Sequence, residues 1–517
     1  MSNVSTFGGF STARLGIYAS QKGMEVVGNN ISNINTIGYT RQRLEQKALH
    51  VGGADHYSIT SDIRVGAGAL CTGVSQLRDP YLDIRYRTSM SSVGAYDRKL
   101  GSLQSLSAIF DEVAKGEKDS GVLEKAMNEL FKEIQNINGH PGRDEYNNIV
   151  RGEAEKVVNW FRDYAEQLET LQKEQEALYK QDIDRVNTIL TSIRDLNEQI
   201  KKENIHGGDA LELKDERNLL IDELSQYARI NVKYSEENIG AGMTVEKLTI
   251  YLADPNDVVG GKALVDGKYC VQLGMQTVEQ DKLDADGNPI PDPNNLGQNL
   301  KEEVVDPLYR LQISKLYDRQ GFTKIGEERK EADDPDYFKI GDTEMFGALQ
   351  SLREMLTEKG EYATQDDLDI DPDAATKRGI PYYLNALNHL ANKFATWMND
   401  ANTISPEANP ELHYGQMVPD PNDATKEIFQ LQDKDGNPLP DGAEGIIKEE
   451  YEEFVKNMKQ GVLFSNDGSG DDPTGITAAN ISIAKGWSTD TVQLVQTKDP
   501  SREAQSSAND NLNHFVA

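Results

Sequence analysis

Apolar side chains recur along this chain with two different spacings, and the change between them divides it into segments. Near the start, Ala13, Ile17, Ser20, Met24, Val27, Ile31 and Ile34 follow alternating steps of four and three, a heptad seam. Fully burying its large members would contribute about 1.5–3 kcal/mol each. Ordering the backbone costs roughly 1–2 kcal/mol per residue, and an isolated helix of this length is marginal in water. The seam therefore needs a partner, either in an assembly or in the helices that follow. A second helix opens at Asp79-Pro80, with Asp79 as N-cap and Pro80 at N1. Its seam is Leu82, Tyr86, Ser89, Val93, Tyr96, Leu100, Leu103, Ser107 and Phe110. A third follows Asp119-Ser120 and stops at His140-Pro141-Gly142.

The longest helical pattern runs from Asp144 to Glu203. Its seam is Val150, Ala154, Val157, Phe161, Tyr164, Leu168 and Leu171, then drifts to Ile183, Val186, Leu190, Ile193 and Ile200. At 1.5 Å per residue such a helix spans about 90 Å, which predicts a rod element. Gly207-Gly208 breaks it, and Leu211–Tyr227 reads as another helix. After Arg229 the period shortens: Leu248-Thr249-Ile250-Tyr251-Leu252 is strand-like, and Asp254-Pro255-Asn256 and Asp286-Gly287-Asn288-Pro289 mark turns. Helical spacing returns at Gly347–Leu356 and Tyr382–Asn402. The expected organisation is α+β and multidomain: long antiparallel helices in a coiled-coil-like bundle, with β-rich inserted outer domains. Its divisions are an axial helix and turn (1–45), short strands and a linker (46–78), a long-helix domain (79–230), a β-rich insertion (231–345), return helices (346–403), an acidic loop or β insert (404–475) and a re-entry segment (476–517).

Composition narrows the functional classes. With 54 Lys+Arg against 86 Asp+Glu the net charge is −32, which disfavours nucleic acid as a partner. The first fifty residues are the exception: Arg14, Lys22, Arg41, Arg43 and Lys47 outnumber Glu25 and Glu45. Cys71 and Cys270 cannot build a disulfide framework or a cysteine metal site. No apolar run reaches the ~20 residues of a membrane span, and MSNVSTFGGF is not a secretory signal peptide. Asp284-x-Asp286-x-Asn288 and Asp433-x-Asp435-x-Asn437 imitate the start of a calcium loop, the second with Glu444 at its twelfth position. Both carry proline (Pro289, Pro438) where such a loop needs glycine, so they read as turns between strands. The seven histidines form no HxxxH or HExxH pair, and no nucleophile elbow, phosphate loop or singled-out carboxylate pair is present. No catalytic residue, cofactor or metal is expected.

The most informative string is VVGNNISNINTIGYTRQR, residues 26–43. Asn29, Asn30, Asn33 and Asn35 close the first helix, Gly38 suits a turn position with positive φ, and Tyr39 and Arg41 lead into a strand. The string resembles the N-terminal signature of the bacterial flagellar axial proteins, the rod, hook and hook-associated family. RDPYLDIRYR at 78–87 and GITAANISIAKGW at 475–487 resemble further segments of this family, while the GYTRQR ending, DLNEQI at 195–200 and DERNLLIDELS at 215–225 resemble its hook-associated branch. That resemblance implies a structural subunit at the hook–filament junction. It implies self-association in a ring, contact with the hook protein and with a second hook-associated protein, and the use of an export chaperone. Export would proceed without a cleaved signal to an extracellular position on the flagellum, with no membrane insertion. The assembly motif would be Asn29, Asn30, Asn33, Asn35, Gly38, Tyr39 and Arg41, and the assembly seam Ala13, Ile17, Met24, Val27, Ile31 and Ile34.

Two departures from the family pattern stand out. Ile37 replaces the proline usual before the turn glycine. The family also ends in a long heptad helix that pairs with the first one, whereas this sequence stops at NDNLNHFVA. The expectation is an N-terminal helix without that partner. A hook or rod protein is the nearest alternative, and an extracellular adhesin-like binding module is the alternative from another class.

Overall fold

The computed structural model describes residues 6–49, 68–110, 121–138, 144–240, 243–253, 262–282, 299–324, 337–341, 344–403, 415–431, 446–447, 457–466, 470–497, 511–512 and 515. The protein is α+β, with long helices and small antiparallel sheets. It divides into two compact units: Met1–Leu100 with Glu176–Thr357, and Gly101–Gln175 with Glu358–Ala517.

In the first unit, helix α1 (Thr6–Ser32) leads into an antiparallel pair, β1 (Gln42–Ala48) with β2 (Ala69–Gln76). Helix α2 (Pro80–Ile109) follows, and the Asp79 carboxylate accepts from the Tyr81 N–H at 2.9 Å, capping it as expected. After α3 (Val122–Asn138), helix α4 (Asp144–Ile205) gives its second half to this unit, where α5 (Leu211–Tyr227) returns beside it. Strands β3 (Ile230–Gly240), β4 (Met243–Leu252), β5 (Ala263–Asp266) and β6 (Tyr269–Cys270) then form one sheet in that order. β7 (Leu273–Met275) pairs with β10 (Leu311–Ser314), which pairs with β11 (Tyr337–Lys339), while β8 (Thr277–Asp281) and β9 (Lys301–Val305) make a separate ribbon. Helix α6 (Gly347–Thr357) closes the unit. One apolar core joins these parts: Ile183, Val186, Leu190 and Ile193 of α4, Ile221 and Leu224 of α5, Leu248 and Ile250 of β4, Ile313 of β10, and Leu349 and Leu352 of α6.

The second unit uses the first half of α4, whose seam Val150, Ala154, Val157, Phe161, Tyr164, Leu168 and Leu171 is buried throughout. Leu130 and Ile134 of α3 are buried too, and beyond the short helix α7 (Gln365–Ile370) so are Ala391, Phe394 and Met398 of α8 (Ile380–Ala401). Phe394 packs on Phe464 at 5.1 Å between ring centroids, and Phe464 on Trp487 at 5.6 Å. Asparagines at the end of α8 take over backbone pairing there. Asn399 Oδ1 accepts from the N–H of Leu463 (2.8 Å) and of Phe464 (2.9 Å), while its Nδ2 donates to the Phe464 carbonyl at 2.9 Å. Asn402 donates to the carbonyls of Gly461 and Gln493 and accepts from Val495 N–H. Buried chain that cannot form a regular sheet thus finds its partners in side chains.

Candidate assembly site

Helix α1 has two faces. On one, Ala19 is buried and Leu15 half-buried, and a Cβ added at Gly68, at the start of β2, would lie 3.4 Å from Leu15. Gly68 has φ +112°, a left-handed backbone that lets the incoming chain run close under the helix. On the other face the seam lies open: Ile17 is 69% exposed, Met24 69%, Val27 55%, Ile31 65% and Ile34 77%, and Ala13 and Ser20 are exposed with them.

The asparagines do something different from closing the helix end alone. Asn30 Nδ2 donates to the Gln42 carbonyl at 2.9 Å, and Asn30 Oδ1 accepts from the Gln42 N–H at 2.9 Å. The same Oδ1 accepts from the Tyr39 hydroxyl at 2.9 Å. Asn29 Nδ2 donates to Gln42 Oε1 at 3.2 Å, and Asn33 Nδ2 donates to Asn29 Oδ1 at 2.9 Å. Thr36 Oγ1 donates to Asn33 Oδ1 at 3.2 Å, and Tyr39 N–H donates to the Thr36 carbonyl at 3.2 Å, closing the turn. Gly38 sits at φ +81°, where a Cβ would lie 3.5 Å from Leu219. Partial burial raises the Tyr39 phenol above its ordinary range, with Asp215 and Glu212 adding to the effect, so it stays a hydrogen-bond donor. Asn35, Ile37 and Arg41 are exposed beside this network.

Helix α5 holds the turn from below, a role the sequence did not reveal. Asp215 Oδ2 accepts from Thr40 N–H at 3.0 Å, and Gln42 Nε2 donates to Glu212 Oε1 at 3.3 Å. Gln76 Nε2 donates to the Leu211 carbonyl at 2.9 Å. These partners lie 135–175 residues apart in sequence. The only hint was the run of polar residues, Lys214-Asp215-Glu216-Arg217-Asn218, inside an otherwise amphipathic helix.

Helix α2 reverses its expected orientation. Leu82, Tyr86, Val93, Tyr96 and Leu100, anticipated as its packing seam, are exposed together with Tyr81 and Ile84. The face turned inward is small and polar: Arg87 and Ser91 are buried, and a Cβ at Gly94 would lie 2.1 Å from the Gln226 carbonyl oxygen. Arg87 Nε donates to Asp222 at 2.7 Å, Arg98 pairs with Asp182 at 2.7 Å, and Arg78 pairs with Asp83 at 2.6 Å. Close backbone approach through glycine and serine leaves no room for large side chains, so these face outward.

Among the described residues no group of three or more His, Cys, Asp or Glu could hold a metal ion, and no helix is long and apolar enough to cross a membrane. The calcium-like segments at 284–288 and 433–444 lie outside the described residues, as do His50, His56, His140, His413 and His514.

Residues 110–299 match the sequence model of the flagellar hook-associated protein FlgK helical domain, and residues 10–40 that of the flagella basal body rod protein. The chain is similar to flagellar hook-associated protein 1 of Bacillus subtilis (strain 168), 31% identical over 271 residues, covering 51% of this chain and 51% of that protein. It is also similar to flagellar hook-associated protein 1 of Escherichia coli (strain K12), 24% identical over 229 residues, covering 44% and 40%. The structure of the flagellar hook junction protein FlgK from Burkholderia pseudomallei aligns with a TM-score of 0.39 and 16% identity, covering 69% of this chain and 56% of that one. The chain spans about half or less of the length of the curated relatives it matches.

Proposed function

We propose that the chain is a structural subunit of the hook–filament junction, on the strength of its similarity to flagellar hook-associated proteins over residues 110–299 and to flagellar hook-associated protein 1 over half its length. The observation that carries this reading is the open stripe Ile17, Met24, Val27, Ile31 and Ile34 on a helix whose far end is pinned to the body of its unit. In water every exposed apolar side chain of such a stripe costs free energy, at about 25 cal/mol per Å². Burial between neighbouring copies in a ring removes that cost, and the pinned turn sets the direction in which the helix presents itself. In this reading residues 1–45 line the tube, the helical segments 79–230 and 346–403 form its wall, and the strand-rich segments 231–345 and 404–475 face outward. The hook protein and a second junction protein are the axial neighbours, reached by export without a cleaved signal and with a chaperone covering the stripe on the way.

Deletion of the gene tests this against its rivals. The junction reading expects lost swimming, with hooks that carry no attached filament and filament protein released to the medium. Complementation by the wild type restores swimming, and complementation by Ile31→Asp does not. Normal swimming with lost attachment to surfaces would overturn the reading in favour of an adhesin. Absence of the hook itself would favour a hook or rod protein.

A further inference from the structure

The first unit holds a cleft of about 1,020 Å³ between the start of α2, helix α5 and strand β3. In a protein of net charge −32 its wall is unusual, with six cationic side chains against three carboxylates. Part of that charge is neutralised: Arg78 and Arg87 share Asp222, and Lys214 and Arg217 share Glu246. Arg229 and Lys233 form no ion pair among the described residues, and both are exposed.

All six consecutive residues from Arg229 to Tyr234 line the cleft. Side chains of a strand alternate between faces, so a continuous run reaches a cleft only when the strand is met edge-on. Strand β3 is the outermost strand of its sheet, and no other described strand pairs with its free edge. Such an edge is a template for another strand. Lys233 lies within this strand, and Arg229 immediately precedes it with its guanidinium over the Phe346 ring at 5.7 Å.

The complement lies elsewhere in the same unit. The β8–β9 ribbon has only two strands, and its side chains are exposed along most of both. A lone two-stranded ribbon is marginal in water. It carries Glu279, Asp281, Glu302 and Glu303 against Lys301 alone, and it sets Glu279 directly opposite Glu303. Like charges in that position destabilise the pair unless a cation approaches. Lys301, opposite Asp281 in register, reaches Glu279 at 3.1 Å, leaving Glu302 and Glu303 without a cation on the ribbon itself. Strand β8 has five residues, as many as the cleft-lining stretch of β3 from Ile230 to Tyr234.

We propose that the β8–β9 ribbon of a second copy docks edge-on into this cleft, adding β8 to β3 and bringing its carboxylates to Arg229 and Lys233. The contact goes beyond the junction reading and does not require it, because any two copies at sufficient concentration can form it. Its two patches differ, so it propagates from copy to copy and is not confined to a pair.

Photo-cross-linking of the purified full chain tests the contact. A benzophenone-bearing residue in place of Asn231 is expected to give an adduct of two chains, with the cross-linked peptide within 277–281 or 301–305. Lys233→Glu in the same chain is expected to lower the yield at least fivefold, and adding Glu279→Lys to restore it. Sodium chloride at 1 M, where charges are screened within about 3 Å, is expected to lower it as well. Adducts that map elsewhere, a yield indifferent to Lys233→Glu, or the absence of two-chain adducts would each overturn the inference. An adduct that inorganic phosphate removes while sodium chloride at equal ionic strength does not would also overturn it, showing a small-anion site instead. The junction reading stands or falls separately, on whether the chain is found with hooks.

Discussion

Asn30 and Gln42, on opposite sides of a tight turn, exchange two hydrogen bonds of 2.9 Å, one in each direction. A side-chain amide here does for Gln42 what a neighbouring strand would do for its backbone. Asn30→Ala removes both bonds and the acceptor of the Tyr39 hydroxyl, stranding partly buried groups at about 1–3 kcal/mol each. Faster hydrogen exchange at residues 39–44, with exchange in α4 unchanged, is the expected result. Asn30→Asp keeps the acceptor but loses the donor, and is expected to fall between the two.

The contact of α2 with α5 depends on the absence of a single methyl group. Gly94→Ala would place a carbon 2.1 Å from the Gln226 carbonyl oxygen, a backbone atom that cannot rotate away. The helices must separate, and overpacking of this kind typically costs about 1–3 kcal/mol or more. Denaturant unfolding of the first unit should shift to lower midpoints in Gly94→Ala, whereas Gly101→Ala, with open space around it, should keep or raise them, alanine being the better helix former.

In the proposed junction role, the open stripe of α1 would separate stability from assembly. Met24→Lys and Ile31→Asp replace exposed side chains, so thermal unfolding of the monomer should move by no more than about 0.5 kcal/mol. Incorporation into hooks, measured by immunoblotting of purified hook–filament fractions, should be lost. A large loss of monomer stability would place the stripe inside the fold and remove its role between copies.

Acid sensitivity should centre on Asp266. Burial pushes its carboxyl upward, but hydrogen bonds and charge from Lys247 and Lys324 win and hold it below the ordinary aspartate range. A carboxylate depressed in the folded state stabilises the fold fully above its unfolded value, near pH 3.8, and that stabilisation is lost as pH falls through the lower folded value. Glu246 behaves alike: burial opposes ionisation, and Arg217 and Lys214 overcome it. Unfolding free energy should therefore drop as the pH falls below about 4.5 in the wild type. Asp266→Asn should show a shallower drop from a lower starting point.

The helices were largely legible in the sequence because their buried stripes are large and evenly spaced. Val150, Val157, Phe161 and Leu168 could be placed inside α4 from spacing alone, and they are buried. Helix α2 was not legible in the same way. Its inner face is Arg87, Ser91 and Gly94, so apolar spacing pointed to the face that lies in water. The turn at Gly38 followed from residue type, since few residues other than glycine accept φ +81°. Its support by Asp215 could not be anticipated, because a carboxylate 175 residues away carries no periodic signal.

In the proposed junction role, the links from Thr40 to Asp215, Gln42 to Glu212 and Gln76 to Leu211 would give α1 a stiff mounting on α5. Torque entering a subunit through α1 would then pass over these short polar bonds into α5, where a slack tether would absorb it.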